Sequence, residues 1–294
     1  MCNEEQLTRW AREGMNRRQF GAVAGAATLA AACTPMAGDA NSAAGGVADL
    51  VDSAVAFDTA DGTMDGWLVA PRGRLSPGVI LWPDIAGLRA AKKTMASRLA
   101  GEGYAVLVVN PYYRDEPAPI WQDFADFAGN GGWPKARDMR AKLNADAIMR
   151  DAKAAVAFLD SRPEVDTARG IGTQGYCMGG PFAMWTAAAV PSRVKAAASF
   201  HGGGLVKDDD PKSPHMLMDQ MTADLLIAIA QDDDAKSPKD KDFLRFAAGE
   251  AQRRATVEVF PGDHGWTVID SPAYAEAAAE AAWAKLLALY KGAL

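Results

Sequence analysis

The sequence predicts an α/β protein with a mostly parallel central sheet and helices on both faces of the sheet. Short apolar runs typical of strands alternate with longer segments of helical pattern along most of the chain. The run Ala105–Asn110 is apolar and β-branched, as expected of a parallel strand covered on both faces. The chain has 294 residues, 49% of them hydrophobic, which suffices for one large α/β domain and an N-terminal extension.

The individual elements follow from this alternation. The pair Asp61-Gly62 separates two apolar runs and predicts an opening hairpin. The predicted strands are Val55–Thr59, Met64–Ala70, Val79–Trp82, Ala105–Asn110, Gly170–Gly175, Val194–Phe200, Leu225–Ala230 and Thr256–Phe260. The predicted helices are Leu88–Gly101, Leu143–Leu159, Pro181–Val190, Asp240–Gln252 and Tyr274–Leu289. In such sheets, reactive residues lie in the loops that follow the carboxyl ends of the strands.

The N-terminal extension resembles an export signal of the twin-arginine type. The segment Asn16–Gly21 contains two consecutive arginines and precedes the uncharged stretch Ala22–Ala32, which is too short to span a bilayer. Met15 is an alternative start that would give the signal an ordinary length. We therefore expect the twin-arginine machinery as a partner and a periplasmic or otherwise exported location.

Processing of this extension stays open in the sequence. The run before Cys33 resembles a lipoprotein cleavage box, so lipidation of Cys33 and its simple removal are both compatible with it. Residues 1–47 are predicted to be signal and linker, and residues 48–294 a single domain.

Charge and cysteine content exclude several classes of function. The net charge of -6 and the scattered basic residues argue against a nucleic-acid partner, and Lys92 and Lys93 are expected on a solvated helix face. The three cysteines, Cys2, Cys33 and Cys177, have no C-x-x-C spacing. We expect no disulfide framework, no metal site and no cofactor.

The pentapeptide Gly175–Gly179 fits a nucleophile elbow in which Cys177 replaces the usual serine. Such a turn strains its central residue, and a Cβ on the flanking glycines would collide with the neighbouring strand and helix. The N–H groups at the start of the following helix favour a thiolate and can bind an oxyanion. A buried cysteine in a glycine-rich turn is the alternative, which only the rest of the site can decide.

A thiol nucleophile needs a base, and the chain has three histidines. His264 is best placed, in a glycine-rich loop between the last predicted strand and the last helix. His201 ends the strand after the elbow helix and is expected to line the site, whereas His215 lies near prolines and is expected to be structural. For the orienting acid, the aspartates after Leu225–Ala230 offer Asp232 and Asp233, and position alone favours Asp232.

The elbow GYCMGG, the QDDD turn and the DHGW loop together resemble the dienelactone hydrolase family of cysteine-dependent α/β-hydrolases. The resemblance covers most of residues 50–290 and implies the α/β-hydrolase fold. It also implies that the backbone N–H groups of Ile85 and Met178 form the oxyanion hole. Asp84 stands where the family has a glutamate that interacts with the resting thiol. Arg114, next to Tyr113, stands where family members that cleave dienelactone hold the substrate carboxylate.

Together these features predict a hydrolase of small esters or lactones that works through Cys177, His264 and Asp232 with a thioacyl intermediate, as a monomer. A thioesterase or an acyltransferase would share this intermediate. An exported binding protein that keeps the scaffold without turnover is the alternative from another class. Disulfide chemistry would need a second cysteine in the domain. Four aromatic side chains are predicted either to cover the pocket as a lid or to take part in ordinary helix packing: Trp121, Phe124, Phe127 and Trp133.

Overall fold

The computed structural model describes residues 4–9, 11 and 49–294. Residues 4–9 are helical, and the central sheet of the described chain has eight strands. The strands are β1 (Leu50–Thr59), β2 (Gly62–Pro71), β3 (Gly78–Trp82), β4 (Ala105–Val109), β5 (Ile171–Tyr176), β6 (Val194–Phe200), β7 (Asp224–Ala230) and β8 (Ala255–Phe260). The helices after residue 49 are α1 (Ala90–Gly101), α2 (Phe124–Gly129), α3 (Gly132–Arg140), α4 (Ala145–Asp160), α5 (Gly179–Ala189), α6 (Gln231–Lys236), α7 (Asp240–Glu250) and α8 (Glu276–Ala293), with a 3-10 helix at Pro214–Gln220.

The strand order is β1-β2-β4-β3-β5-β6-β7-β8. The pairs β1–β2 and β2–β4 are antiparallel, and every other neighbouring pair is parallel. The mostly parallel sheet predicted from the sequence is therefore confirmed. The opening hairpin is also confirmed, because Thr59 pairs with Gly62 across a two-residue turn.

Each face of the sheet is covered by helices. Along β3, Ile80 packs into a cluster with residues of α4 and α5, whereas Val79 and Leu81 pack into a second cluster with residues of α1 and α8. This alternation follows from the two-residue period of a strand, and it makes both faces of β3 apolar. The carboxyl ends of the parallel strands are left as one edge where loops meet.

The element bounds differ from the predictions mainly at two places. Strand β1 begins at Leu50, five residues before the predicted start. No bounds were predicted for α2 and α3, where the aromatic residues left helix packing as one alternative, and α6 was not predicted; these helices have six, nine and six residues. Short helices of this kind carry too few turns to show a helical period, and Gly131 at φ 73° separates α2 from α3.

The predicted export motif, Cys33 and the predicted linker lie outside the described residues. Within the described residues, no helix is both long enough and apolar enough to cross a bilayer.

Candidate active site

Cys177 lies at the sharp turn between β5 and α5, with a φ of 53°. A Cβ built on Gly175 would lie 1.8 Å from the carbonyl oxygen of Gly179, and one on Gly179 would lie 2.5 Å from the carbonyl oxygen of Trp82. Any side chain at either position would therefore displace backbone. A left-handed conformation at a non-glycine residue is a strain found at functional sites, so the elbow geometry supports a chemical role for the thiol.

Two backbone segments provide candidate oxyanion donors. Met178 is the N-cap residue of α5, where the first N–H groups have no partner within the helix. In the turn after β3, Oδ1 of Asp84 accepts a hydrogen bond from the N–H of Ala86 at 3.0 Å, and the carbonyl oxygen of Asp84 accepts one from the N–H of Gly87 at 2.9 Å. The N–H of Ile85 is left without an acceptor among the described residues.

Tyr112 connects these two segments, although it was not among the predicted site residues. Its buried hydroxyl donates to the carbonyl of Ile85 at 2.8 Å and lies 3.3 Å from the Sδ atom of Met178. Burial is the main cause that raises the pKa of Tyr112 well above its ordinary value, so the hydroxyl stays a donor. Its position shortly after β4, at the carboxyl edge of the sheet, was the available signal.

The acid that contacts the His264 ring is Asp233, and the preference for Asp232 was wrong. The Oδ2 atom of Asp233 lies 2.6 Å from Nδ1 of His264. Asp232 instead accepts the backbone N–H of His264 at 2.7 Å through Oδ1, and its Oδ2 atom pairs with Lys236 at 2.7 Å.

The reason for this difference is helical geometry. The QDDD segment is the start of α6 rather than an extended turn, and successive side chains of a helix point about 100° apart. Burial acts to raise the pKa of Asp233, but the hydrogen bond and the charge of His264 outweigh it and lower that pKa. Asp233 is thus an ionised acceptor that fixes the orientation of the imidazole.

A buried network of charges lies next to the elbow. Arg89, fully inaccessible to solvent, donates to both oxygens of Asp84 at 2.7 and 3.0 Å and to both oxygens of Asp270 at 2.7 Å. Lys92 lies 2.7 Å from Asp84 and is also fully buried, so its predicted place on a solvated helix face was wrong. Burial acts to raise the pKa of Asp84, but Arg89 and Lys92 hold it well below its ordinary value.

The network changes the role expected for Asp84. The resemblance implied a carboxylate that interacts with the resting thiol, yet both oxygens of Asp84 are engaged by Arg89 and Lys92. Through Arg89 the carboxylate is tied to Asp270, in the loop after His264. Asp84 therefore joins the loop that carries Ile85 to the loop that carries His264.

His201 forms a polar part of the site wall. Its backbone is strained at φ 41°, its residue exposure is 1%, and neither ring nitrogen has a hydrogen-bond partner among the described residues. The ring centroid lies 4.9 Å from that of His264. Burial, followed by the charges of His264 and Lys92, lowers the pKa of His201 well below its ordinary value, so the ring is neutral near pH 7.

A small cavity joins these groups. Cys177 and His264 both line it. The other lining residues are Leu7, Asp84, Ile85, Phe124, Trp133, His201, Gly265, Val268 and Ser271. Within the described part of the chain, no cluster of His, Cys, Asp or Glu side chains is arranged to hold a metal ion.

The aromatic group predicted as a lid or as ordinary packing is a packed cluster at this cavity. Phe127 lies 5.0 Å from Trp121, 5.4 Å from Phe124 and 4.7 Å from Trp133, measured between ring centroids. Phe124 and Trp133 contribute directly to the cavity wall. The cluster therefore packs α2 and α3 together and also covers the pocket.

Tyr113 and Arg114 are not brought to this cavity. Arg114 donates to both oxygens of Asp151 at 2.8 and 2.9 Å and to Asp61 at 2.6 Å. The hydroxyl of Tyr113 donates to Asp151 at 2.7 Å. Because these carboxylates neutralise Arg114 outside the cavity lining, the substrate-binding role expected from the resemblance is not supported by its position.

The chain is similar in sequence to proteins that carry the name carboxymethylenebutenolidase. A protein of Escherichia coli (strain K12), whose naming as a carboxymethylenebutenolidase is itself provisional, is 28% identical over 218 residues, 73% of this chain and 76% of that protein. A carboxymethylenebutenolidase of Rhodococcus opacus is 29% identical over 118 residues, 40% of this chain and 41% of that protein.

The fold is that of the α/β-hydrolases. A crystal structure from Klebsiella pneumoniae, also provisionally named a dienelactone hydrolase, has a TM-score of 0.71 at 22% identity and covers 83% of this chain and 99% of that one. At this identity the likeness concerns the fold alone. The family model described as "Dienelactone hydrolase family" matches residues 64–294. The chain therefore belongs to the dienelactone hydrolase family.

Proposed function

We propose that this protein hydrolyses a small carboxylic ester or lactone with Cys177 as the nucleophile. One observation carries the proposal: a cysteine at a strained elbow and a histidine oriented by Asp233 line the same cavity. A nucleophile, a base and a group that orients the base are the minimum set for this chemistry.

The proposed reaction has two halves. The thiolate of Cys177 attacks the carbonyl carbon, and the N–H groups of Met178 and Ile85 stabilise the oxyanion. His264 first takes the proton of the Cys177 thiol and donates it to the leaving alcohol. It then takes a proton from the water that attacks the thioester and returns it to the Cys177 sulfur as the acid leaves. Asp233 keeps the imidazole in the required tautomer and stabilises its protonated form.

The relatives support a lactone or ester as the substrate class. The name carboxymethylenebutenolidase denotes an enzyme that opens an unsaturated lactone ring bearing a carboxymethylene group. At 28–29% identity, the relatives' name supports the hydrolysis of esters in general more firmly than the hydrolysis of the particular lactone that it denotes.

Turnover of p-nitrophenyl acetate by the wild type and by Cys177→Ala tests the proposal. We expect the variant to lose activity by roughly 10³-fold or more while it keeps its thermal unfolding profile. Wild-type turnover in Cys177→Ala would remove the thiol from the mechanism.

The histidines provide a matched pair for the same assay. His264→Ala is expected to be nearly as inactive as Cys177→Ala. His215→Ala should retain most of the activity, because the His215 ring bonds the hydroxyl of Ser213 and does not line the cavity. The opposite ranking would mean that His264 is not the base.

A further inference from the structure

A second cavity lies between α1, α8 and the segment 267–274, and it is larger than the cavity at Cys177. Aromatic side chains form much of its wall: Tyr176, Phe200, Tyr274 and Trp283. The rest of the wall is mainly aliphatic and includes Ala279 and Ala282 of α8. The cavity therefore offers an apolar, ring-lined surface of the kind that small-molecule sites present. The proposed reaction makes no use of it.

A shared wall separates this cavity from the cavity at Cys177. In three segments, consecutive residues line different cavities: Tyr176 and Cys177, Phe200 and His201, Thr267 and Val268. The first residue of each pair lines the second cavity, and the next one lines the catalytic cavity. Successive side chains point to opposite sides at the ends of β5 and β6, which accounts for the first two pairs. A ligand in the second cavity would therefore lie behind the catalytic segments without taking the place of an ester.

The solvent side of the second cavity is marked by Ile269 and Tyr274. Both side chains line the cavity, and they are 38% and 37% exposed. Exposed apolar surface next to a concave apolar wall is a feature of ligand-binding grooves. The cavity is thus accessible from solvent past two side chains that gain from being covered.

The charge at this cavity is already paired. Among the described residues that line it, only Arg98 is charged. Its guanidinium donates to both carboxylate oxygens of Glu280 at 2.6 and 2.7 Å and lies 4.2 Å from the ring centroid of Trp283. A charged ligand would break this pair or lose its hydration without a counter-ion in return. The cavity therefore favours an uncharged ligand.

Thr267 gives the wall one polar group that lacks a partner. The residue is 8% exposed, and its Oγ1 atom is buried with no hydrogen-bond partner among the described residues. A buried hydroxyl without a partner is costly, and most such groups in proteins are paired. A ligand oxygen in the cavity would provide the missing hydrogen bond.

We propose that this cavity is a second ligand site, for a small uncharged molecule that carries an aromatic ring and one hydroxyl or carbonyl oxygen. The ring packs among the aromatic side chains of the wall. The oxygen pairs with Oγ1 of Thr267, and Arg98 stays bound to Glu280.

The first test compares p-cresol with toluene, which lacks the hydroxyl, in ligand-observed NMR titrations of the full-length protein. Thr267→Val keeps the shape of the side chain and removes its hydroxyl. It should weaken the binding of p-cresol about three- to tenfold, the range of one net hydrogen bond, and change that of toluene by less than about twofold. Equal effects on the two ligands, or no effect on p-cresol, would overturn the pairing with Thr267.

The second test fills the cavity. Ala279→Leu should weaken the binding of both ligands at least about tenfold, because the larger side chain takes up the space of the ring. Ala281→Leu is the matched control on the exposed face of α8 and should bind both ligands as the wild type does. Circular dichroism checks the fold of each variant, and if Ala279→Leu does not fold, Thr267→Val decides alone. Unaltered binding of p-cresol to a folded Ala279→Leu, or no binding to the wild type at millimolar concentration, would overturn the site.

Two further titrations fix the charge and the place of the ligand. Benzoate should bind at least about tenfold more weakly than p-cresol, and equal or tighter binding would overturn the assignment to uncharged ligands. Cys177→Ala should bind p-cresol with wild-type affinity, because Cys177 lines the other cavity. A marked change in that variant would place the ligand in the catalytic cavity and overturn the second site. Since binding is measured without turnover, these results are independent of the outcome for the proposed function.

Discussion

The separate roles of Asp232 and Asp233 give a sharp test, because two adjacent carboxylates contact the same histidine. Asp233 contacts the ring of His264 at 2.6 Å, and Asp232 contacts its backbone N–H at 2.7 Å. The substitutions Asp233→Asn and Asp232→Asn remove one negative charge each and keep the shape of the side chain. Only the first removes the charge that stabilises a protonated imidazole.

The magnitude follows from Coulomb attraction. Opposite unit charges about 4 Å apart attract by about 4 kcal/mol at an effective dielectric constant of about 20. The Asp233 side chain is 24% exposed, and screening by solvent lowers this to about 2–3 kcal/mol. That corresponds to a loss of about 30- to 150-fold in kcat for Asp233→Asn.

Asp232→Asn should lower kcat by less than about threefold, because its amide oxygen still accepts the N–H of His264 and its exposed pair with Lys236 contributes little. Asp234→Asn is the control within the same acidic run, since Asp234 pairs with Lys241. The assay is steady-state hydrolysis of a p-nitrophenyl ester with circular dichroism of each variant. A loss in Asp232→Asn equal to that in Asp233→Asn would refute the reasoning.

Three further predictions follow from other contacts of the site, and a fourth follows from the N-terminal sequence. Tyr112→Phe leaves the buried carbonyl of Ile85 without its hydrogen-bond donor, so we expect the free energy of unfolding to fall by about 1–3 kcal/mol. In steady-state kinetics we expect a lower kcat with little change in KM. An unaltered kcat would argue against a positioning role for Tyr112. Arg89→Met leaves Asp84 and Asp270 without their shared cation and should lower the free energy of unfolding by about 3–5 kcal/mol in urea titrations. A change below about 1 kcal/mol would contradict a stabilising role for this buried ion pair. The pKa of His201 is lowered in the folded protein, so as the pH falls the unfolded chain binds a proton at this residue before the folded protein does. The free energy of unfolding is therefore unaffected by His201 above its unfolded pKa of about 6.5 and falls by up to about 1.4 kcal/mol per pH unit below it. His201→Gln should reduce this pH dependence in urea titrations at pH 7 and 5. Replacement of the consecutive arginines at 17 and 18 by lysine should retain the protein inside the cell in fractionation experiments if the predicted export signal operates, and undiminished export would contradict it.

The strands and the elbow were predictable because they depend on local pattern. Apolar runs such as that of β6, whose predicted bounds match the structure, identify strands buried on both faces. The contact that demands glycine at position 175 lies within the elbow itself, whereas Gly179 is demanded by the carbonyl of Trp82 at the end of β3. The sequence order of nucleophile, acid and histidine then located the three loops that meet at the site.

The contacts that were not predictable depend on side-chain direction and on pairs distant in sequence. The choice between Asp232 and Asp233 required knowing that α6 begins at Gln231, which six residues of polar sequence do not indicate. Arg89 is 181 residues from its partner Asp270, so nothing local marks it as buried.

The most direct test of the central claim is a search for the acyl-enzyme. The wild type is mixed with a p-nitrophenyl ester, quenched in acid during turnover and digested for mass spectrometry. We predict that the peptide containing Cys177 gains the mass of the acyl group and that this adduct is absent in Cys177→Ala. An acyl group on another residue, or full turnover by Cys177→Ala without an adduct, would contradict the assignment of Cys177 as the nucleophile.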